Sequence, residues 1–171
     1  PNLVSIMTHY FSKDPGDQKQ VSWHQDASYW PLTPSKVVTA WLAIDDVDMD
    51  NGPMTVIPGS HLYGQIPFEN STEGERNVLG QSVYDPLRWG GEPVPFTMRA
   101  GQISLHTDLL LHGSEPNRST RRRCGLTLRY MPPEVRTREE RWANGYICRG
   151  KDPDGYWVEL PMPEGDQVPG K

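Results

Sequence analysis

Val37-Val38-Thr39-Ala40-Trp41-Leu42-Ala43-Ile44 is followed, after a short acidic link, by Asp50-Asn51-Gly52-Pro53-Met54-Thr55-Val56-Ile57-Pro58-Gly59-Ser60. The first run is rich in β-branched and aromatic residues, which fit a pleated, half-buried surface. The second opens on Asn-Gly-Pro and closes on Pro-Gly-Ser, residues that supply the backbone angles of tight turns. Strand, turn, strand and turn succeed one another with no room for a helix. The same texture extends outward in both directions. Residues 3–11, 21–26, 102–106 and 124–130 read as strands, with 109–112 as a shorter candidate. Asp14-Pro15-Gly16 and Asp152-Pro153-Asp154-Gly155 read as turns, the latter predicting a small terminal hairpin ahead of residues 156–160. Residues 134–143 form the one reasonable short helix. Strands without long intervening helices favour an antiparallel barrel or sandwich over a doubly wound fold.

With 171 residues the chain is the size of one domain, and residues 1–171 are taken as one. Its 17 prolines and 16 glycines suit many short strands joined by turns. No apolar run approaches the roughly 20 residues that cross a bilayer, so no membrane span is expected. A formal net charge of −5 argues against general nucleic-acid binding, which needs a basic surface. Two cysteines, Cys124 and Cys148, lack the spacing of a zinc ribbon or a disulfide framework. Reduced thiols in a cytoplasmic setting are the default expectation. The chain begins at Pro1, which suggests a fragment of a longer protein. Residues 62–98 are long, polar and irregular for a compact domain, so a lid-like insertion over a site is expected there.

Trp23-His24-Gln25-Asp26 carries the first chemistry. On a strand over 21–26, residues two apart share a face, and one imidazole and one carboxylate then form half of a divalent-metal site. An HxD triplet alone is weak and admits an accidental reading. Leu109-Leu110-Leu111-His112-Gly113-Ser114 sets a histidine directly after three leucines. A buried imidazole needs partners for both ring nitrogens; a metal or a backbone group can each satisfy one. Taken together, two histidines and one carboxylate form the facial set that leaves positions open on a non-haem Fe(II) ion. Zinc with His and carboxylate ligands is also compatible, although the HExxH helix signature is absent. Arg123, eleven residues after His112, opens the strand over 124–130. Its planar fork would hold the distal carboxylate of 2-oxoglutarate through two parallel hydrogen bonds, which Lys cannot reproduce. Arg121 and Arg122 are expected to face solvent or acidic loops.

The segments His24-Gln25-Asp26, Asn51 through His61, and His112-Gly113-Ser114 with Asn117-Arg118-Ser119 and Arg123 resemble the phytanoyl-CoA dioxygenase family, within the Fe(II)- and 2-oxoglutarate-dependent oxygenases. The resemblance runs from about residue 5 to residue 135. It implies a mainly all-β, double-stranded β-helix, a jelly roll of two sheets with few short helices. It also implies that this is the C-terminal part of the family fold, with an N-terminal stretch missing. By the same resemblance His24, Asp26 and His112 are the iron ligands, and Arg123 anchors 2-oxoglutarate with help from Ser114. Trp41, His9 and Met7 match positions near the cosubstrate. His61 and His106 are read as structural or wall residues, and Tyr29, Trp30, Trp41 and Trp89 as pocket walls. Chlorinating relatives replace the carboxylate ligand with a small residue, so Asp26 points to hydroxylation. The implied function is a dioxygenase that uses Fe(II), 2-oxoglutarate and O2 to hydroxylate an unactivated C–H bond of a small molecule, releasing succinate and CO2. The alternative is a non-catalytic metal- or ligand-binding module of the same fold.

Overall fold

The computed structural model describes residues 1–72, 74, 76–140, 143–161 and 165. Among the described residues, fourteen strands follow one another. They are β1 (Leu3–Lys13), β2 (Val21–His24), β3 (Leu32–Thr33), β4 (Val38–Ala43), β5 (Met54–Val56), β6 (Glu69–Asn70) and β7 (Gln81–Ser82). After these come β8 (Val94–Pro95), β9 (Ile103–Thr107), β10 (His112–Ser114), β11 (Arg123–Met131), β12 (Arg136–Thr137), β13 (Asn144–Arg149) and β14 (Val158–Glu159). The described helical structure consists of short 3-10 turns, at Asp26–Ser28, Ser60–Tyr63 and Pro86–Trp89. No helix among the described residues is long and apolar enough to cross a membrane.

Two sheets face each other. The larger has the order β14-β13-β1-β11-β4-β9 and the smaller β2-β10-β5-β8. Apart from the β13–β14 pair, their ladders are antiparallel. This is the jelly-roll, double-stranded β-helix expected from the sequence.

Alternation along each strand decides what lies between the sheets. In β11 the buried, inward row is Arg123, Gly125, Thr127, Arg129 and Met131. Its β4 neighbours on the same face are Thr39, Trp41 and Ala43, all buried. At one end of the interior Val4, Trp30, Leu32, Val37, Met131, Val135 and Trp157 form a core. Trp41, Ala43, Val47, Met54 and Val56 form a second core between the sheets. A third, of Ile57, Ile66, Val83 and Leu111 with Trp23 against it, ties residues 62–98 to the small sheet. That segment therefore has its own anchors, Ile66 and Val83, rather than lying loose.

Three expectations need correction. The helix expected over 134–143 does not form at 134–139: Arg136 and Thr137 form β12 and pair with β3, and their ladder supplies hydrogen bonds that a helix would have supplied locally. Residues 141 and 142 lie outside the described residues. The turn at 152–155 does not make a terminal hairpin, because β14 runs parallel to β13 and hairpins are antiparallel. The strand at 109–112 shifts to His112–Ser114, leaving the three leucines in the preceding turn.

Gly125 is where the inward row makes room. A Cβ built there would lie 2.0 Å from a ring carbon of Trp41, so the indole rests directly on the glycine backbone. Gly125→Ala should cost about 1–3 kcal/mol of stability, the usual scale of overpacking, read as a lower urea midpoint. Adding Trp41→Leu should recover part of that loss. Equal midpoints for Gly125→Ala and the parent would mean that the indole is free to move.

Candidate metal centre

His24 ends β2 and His112 begins β10, and the two are direct cross-strand partners. Their rings lie 4.1 Å apart, centroid to centroid, and both are buried. Each ring is held from behind in the same way. Nδ1 of His24 meets the carbonyl of Ser22 at 2.8 Å, and Nδ1 of His112 that of Leu110 at 2.9 Å. A carbonyl only accepts, so each Nδ1 carries the proton and each Nε2 presents a lone pair. That is the tautomer and orientation a metal-ligating histidine needs.

Asp26 reaches the same point by a different route from the one the sequence suggested. β2 stops at His24, and Asp26 opens a 3-10 turn rather than continuing the strand. The following amide, Ala27 N, donates to the carbonyl of Asp108 at 3.0 Å and fixes the turn. Oδ1 of Asp26 then lies 3.7 Å from Nε2 of His24, and Oδ2 accepts from the Thr39 hydroxyl at 3.3 Å. One potential ligand atom from each of His24, Asp26 and His112 lies within 4.8 Å of the other two. Two facing lone pairs and a carboxylate, with little water, repel one another unless a cation sits among them. The donor set therefore fits a divalent metal, and its two nitrogens and one oxygen are those of the facial set.

Electrostatics agree with this. Burial alone would raise the Asp26 carboxyl, but its polar surroundings, the adjacent His24 ring first and then His112 and the Arg129 guanidinium, hold it well below the ordinary carboxylate range. Burial, reinforced by His24, pushes His112 down to about 3, so its imidazole stays neutral. His106, on β9 opposite Thr39, lies 4.0 Å from Asp26 and is pushed down to about 4, chiefly by burial. Its Nδ1 has no hydrogen-bond partner. His106 thus backs the carboxylate as well as walling the cavity.

Gln25, between two of these residues in sequence, points the other way and is buried. Its amide donates to the carbonyls of Gly64 and Leu109, at 2.9 and 2.6 Å, and accepts from the amide of Ile66 at 2.7 Å. Ser28 adds a bond to the Gln81 side chain at 2.5 Å. The HxD segment is in this way stapled to the turn that leads to His112 and to residues 62–98.

A cavity of about 180 Å³ opens beside the cluster. Arg123 stands at its far wall, 3 % exposed, donating to the carbonyl of Gly52 at 2.9 Å and reaching Phe11 O and the Ser114 hydroxyl at 3.4 and 3.5 Å. Gly52 can approach because a side chain there would strike the Glu115 carbonyl at 2.5 Å, and its φ of +74° is one that glycine tolerates. Burial lowers Arg123 to about 10, which leaves it cationic. Trp41 lies beneath it at 5.9 Å. Arg121 and Arg122 pair instead with Asp48 and Asp45 on the outside.

Of the other residues singled out from the sequence, Ser114, Trp41, His9, Tyr29, Trp30 and His106 line the cavity. Met7 does not. A bulge in β1 between Ser5 and Thr8 breaks the alternation that would have put Met7 and His9 on one face, and Met7 packs against the first core instead. Trp89 packs against the third core, stacking edge-on with Tyr63, and His61 sits in an exposed turn. Sequence reasoning missed Arg129, Thr39 and Thr127. Arg129 was readable: it is six residues after Arg123 on one strand, hence on the same inward face.

Residues 2–125 match the family described as phytanoyl-CoA dioxygenase (PhyH). The chain is 32 % identical over 124 residues to the peroxisomal phytanoyl-CoA dioxygenase of Bos taurus, covering 70 % of this chain and 36 % of that protein. It is 33 % identical over 145 residues to a probable alpha-ketoglutarate-dependent hypophosphite dioxygenase of Stutzerimonas stutzeri, covering 78 % and 51 %. The chain thus spans about a third to a half of these relatives' length. Among solved structures, the non-heme monooxygenase ThoJ in its apo form superposes with a TM-score of 0.76 at 26 % identity, covering 96 % of this chain and 59 % of that one. Its nickel complex gives 0.74 at the same identity. The matched region includes His24, Asp26, His112 and Arg123, and the chain belongs to the phytanoyl-CoA dioxygenase family.

Proposed function

We propose that this chain carries the catalytic core of an Fe(II)- and 2-oxoglutarate-dependent dioxygenase that hydroxylates an unactivated C–H bond of a small organic molecule. The observation that carries the reading is the convergence of His24, Asp26 and His112 on one point beside a cavity whose far wall holds an unpaired, buried guanidinium. When bound there, Fe(II) chelated by the oxo acid supplies the oxidising chemistry, consuming O2 and 2-oxoglutarate and yielding succinate and CO2.

The chain's own residues would bind, orient and exclude water. His24, Asp26 and His112 hold the metal from one side and leave the other open to oxo acid and dioxygen. Arg123 takes the distal carboxylate of 2-oxoglutarate as a fork, with the Ser114 hydroxyl beside it. Trp41 walls the cosubstrate, and His9 lies at the rim. The carboxylate at Asp26 occupies the place a halide would need, which supports hydroxylation over halogenation. Residues 62–98, through Leu79, reach the cavity and would cover the bound substrate.

Anaerobic addition of 2-oxoglutarate to the Fe(II)-loaded protein should give a metal-to-ligand charge-transfer band, and Asp26→Ala should abolish it. Arg123→Ala should raise the apparent dissociation constant at least tenfold, on the order of 1.4 kcal/mol. An unchanged constant would take Arg123 out of the anchoring role.

A second expectation follows from the neutral imidazoles. His106 and His112 titrate at about 4 and about 3 when folded, against an ordinary value of 6.5. Between those values and 6.5 the unfolded chain binds more protons than the folded one. Their contribution to stability is therefore complete above pH 6.5 and is lost as pH falls toward 4 and 3. Melting of the metal-free protein should show a midpoint that drops over that window, with a shallower drop in His106→Gln. The same slope in both proteins would exclude His106 as a source.

A further inference from the structure

We infer that Arg129 is a second anion-binding group of this cavity, and that it selects a substrate bearing a carboxylate or similar planar anion. The inference rests on the oxygenase reading of the metal site and names the substrate class it leaves open.

Arg129 is 4 % exposed and lines the same cavity as the metal cluster. One terminal nitrogen donates to the Thr127 hydroxyl at 2.8 Å and meets Nδ1 of His9 at 3.1 Å. Its Nε has no partner. Among the described residues no carboxylate lies within 4.0 Å of it. Its flat face lies over the Trp30 ring at 5.0 Å, which fixes the plane of the fork. His9 is exposed, so the guanidinium stands one side chain away from the opening.

Charge counting makes the case specific. An uncompensated buried ion costs several kcal/mol. The cavity lining holds two guanidiniums and one carboxylate, Asp26. A divalent metal adds two positive charges, and dianionic 2-oxoglutarate, bound through Arg123, removes two. One positive charge remains, and Arg129 lies beyond Arg123's reach, six residues along β11, or about 20 Å of extended strand. An anionic substrate on the cavity side of the fork closes the balance. Lys13, the other buried cation near Arg123, gives its ammonium to the carbonyls of Lys19 and Glu115 and does not line the cavity.

The test uses benzoate and benzamide, a matched acid and amide, titrated calorimetrically into protein loaded with Fe(II) and saturating 2-oxoglutarate without oxygen. Benzoate should bind at least about tenfold more tightly than benzamide, the scale of one charge-assisted pair. Arg129→Gln should bring the two near parity, and Arg129→Lys, which keeps the charge without the fork, should retain part of the preference. The dissociation constant of 2-oxoglutarate, read from the charge-transfer band, should stay within about twofold of the parent in both variants. Equal binding of acid and amide by the parent, or a preference that survives in Arg129→Gln, would overturn the inference. So would a weakened 2-oxoglutarate constant in Arg129→Gln, because the guanidinium would then belong to the oxo acid. Absence of the charge-transfer band in the parent, with an Arg129-dependent acid preference intact, would instead overturn the oxygenase reading and support the anion site.

Discussion

The interior of this jelly roll is organised by buried charge that its own residues do not neutralise. Asp26 accepts from Thr39 and is flanked by His24 and His106, yet no guanidinium or ammonium comes within ion-pair distance of it among the described residues. Arg123 and Arg129 likewise have no carboxylate partner there. A folded chain ordinarily removes such groups from its core or pairs them, because desolvation outweighs what scattered polar contacts return. Here three are kept apart along one cavity, each aligned by hydrogen bonds that leave its functional edge free. Ligands of matching charge would relieve that cost, and on this ground the proposed metal, oxo acid and anionic substrate form one consistent set.

The sheets make that separation possible. β11 is one straight ruler whose inward positions recur every second residue, so Arg123 and Arg129 share a face while the backbone holds them apart. Gly125 and Thr127 between them are small enough to leave the cavity open, and Trp41 packs into the gap over Gly125. The histidines are set by the facing sheet, where direct cross-strand pairing of His24 with His112 brings together residues 88 positions apart in the chain. The metal cluster comes from the small sheet and the turn after β2, and the two cavity arginines from the large sheet.

Much of this was legible in the sequence because it rests on period-two patterning and turn chemistry. The strands around 37–44, 54–57 and 124–130 lie within a residue or two of their expected bounds, and Asn51-Gly52 sits in the turn that feeds a carbonyl to Arg123. What was not legible depends on contacts between distant segments. Asp26 leaves the strand because Asp108 offers its carbonyl to Ala27; no local signal in Trp23-His24-Gln25-Asp26 announces that. Met7 leaves the cavity through a bulge whose cause lies in the pairing with β11. Residues 136–137 become a strand because β3 is there to receive them. Arg129 is a different kind of omission. Period-two alternation along the strand places it on the same inward face as Arg123, but it lies outside the segments that carry the family resemblance.

The hydrogen bonds around Gln25 hold residues 62–98 to the candidate site. His24 and His112 stand on strand ends, where pairing fixes their backbone, and Asp26 opens the turn that follows β2. Among the described residues, 62–98 hold only short strands and 3-10 turns, so bonds to the rest of the chain set their position. Gln25 supplies such bonds from inside the HxD segment, binding Gly64 and Ile66 on one side and Leu109, which precedes His112, on the other. Each such bond contributes roughly 0.5–1.5 kcal/mol, and as a buried set they also forbid leaving any one donor unmet. The root of the loop is thereby fixed to the candidate site, and Asn77, which accepts from the Ser22 amide at 3.0 Å, ties the stretch before Leu79 to β2. Reactivity and selectivity can then be specified by different parts of the chain: the first by strand pairing, the second by Arg129 and the loop facing it.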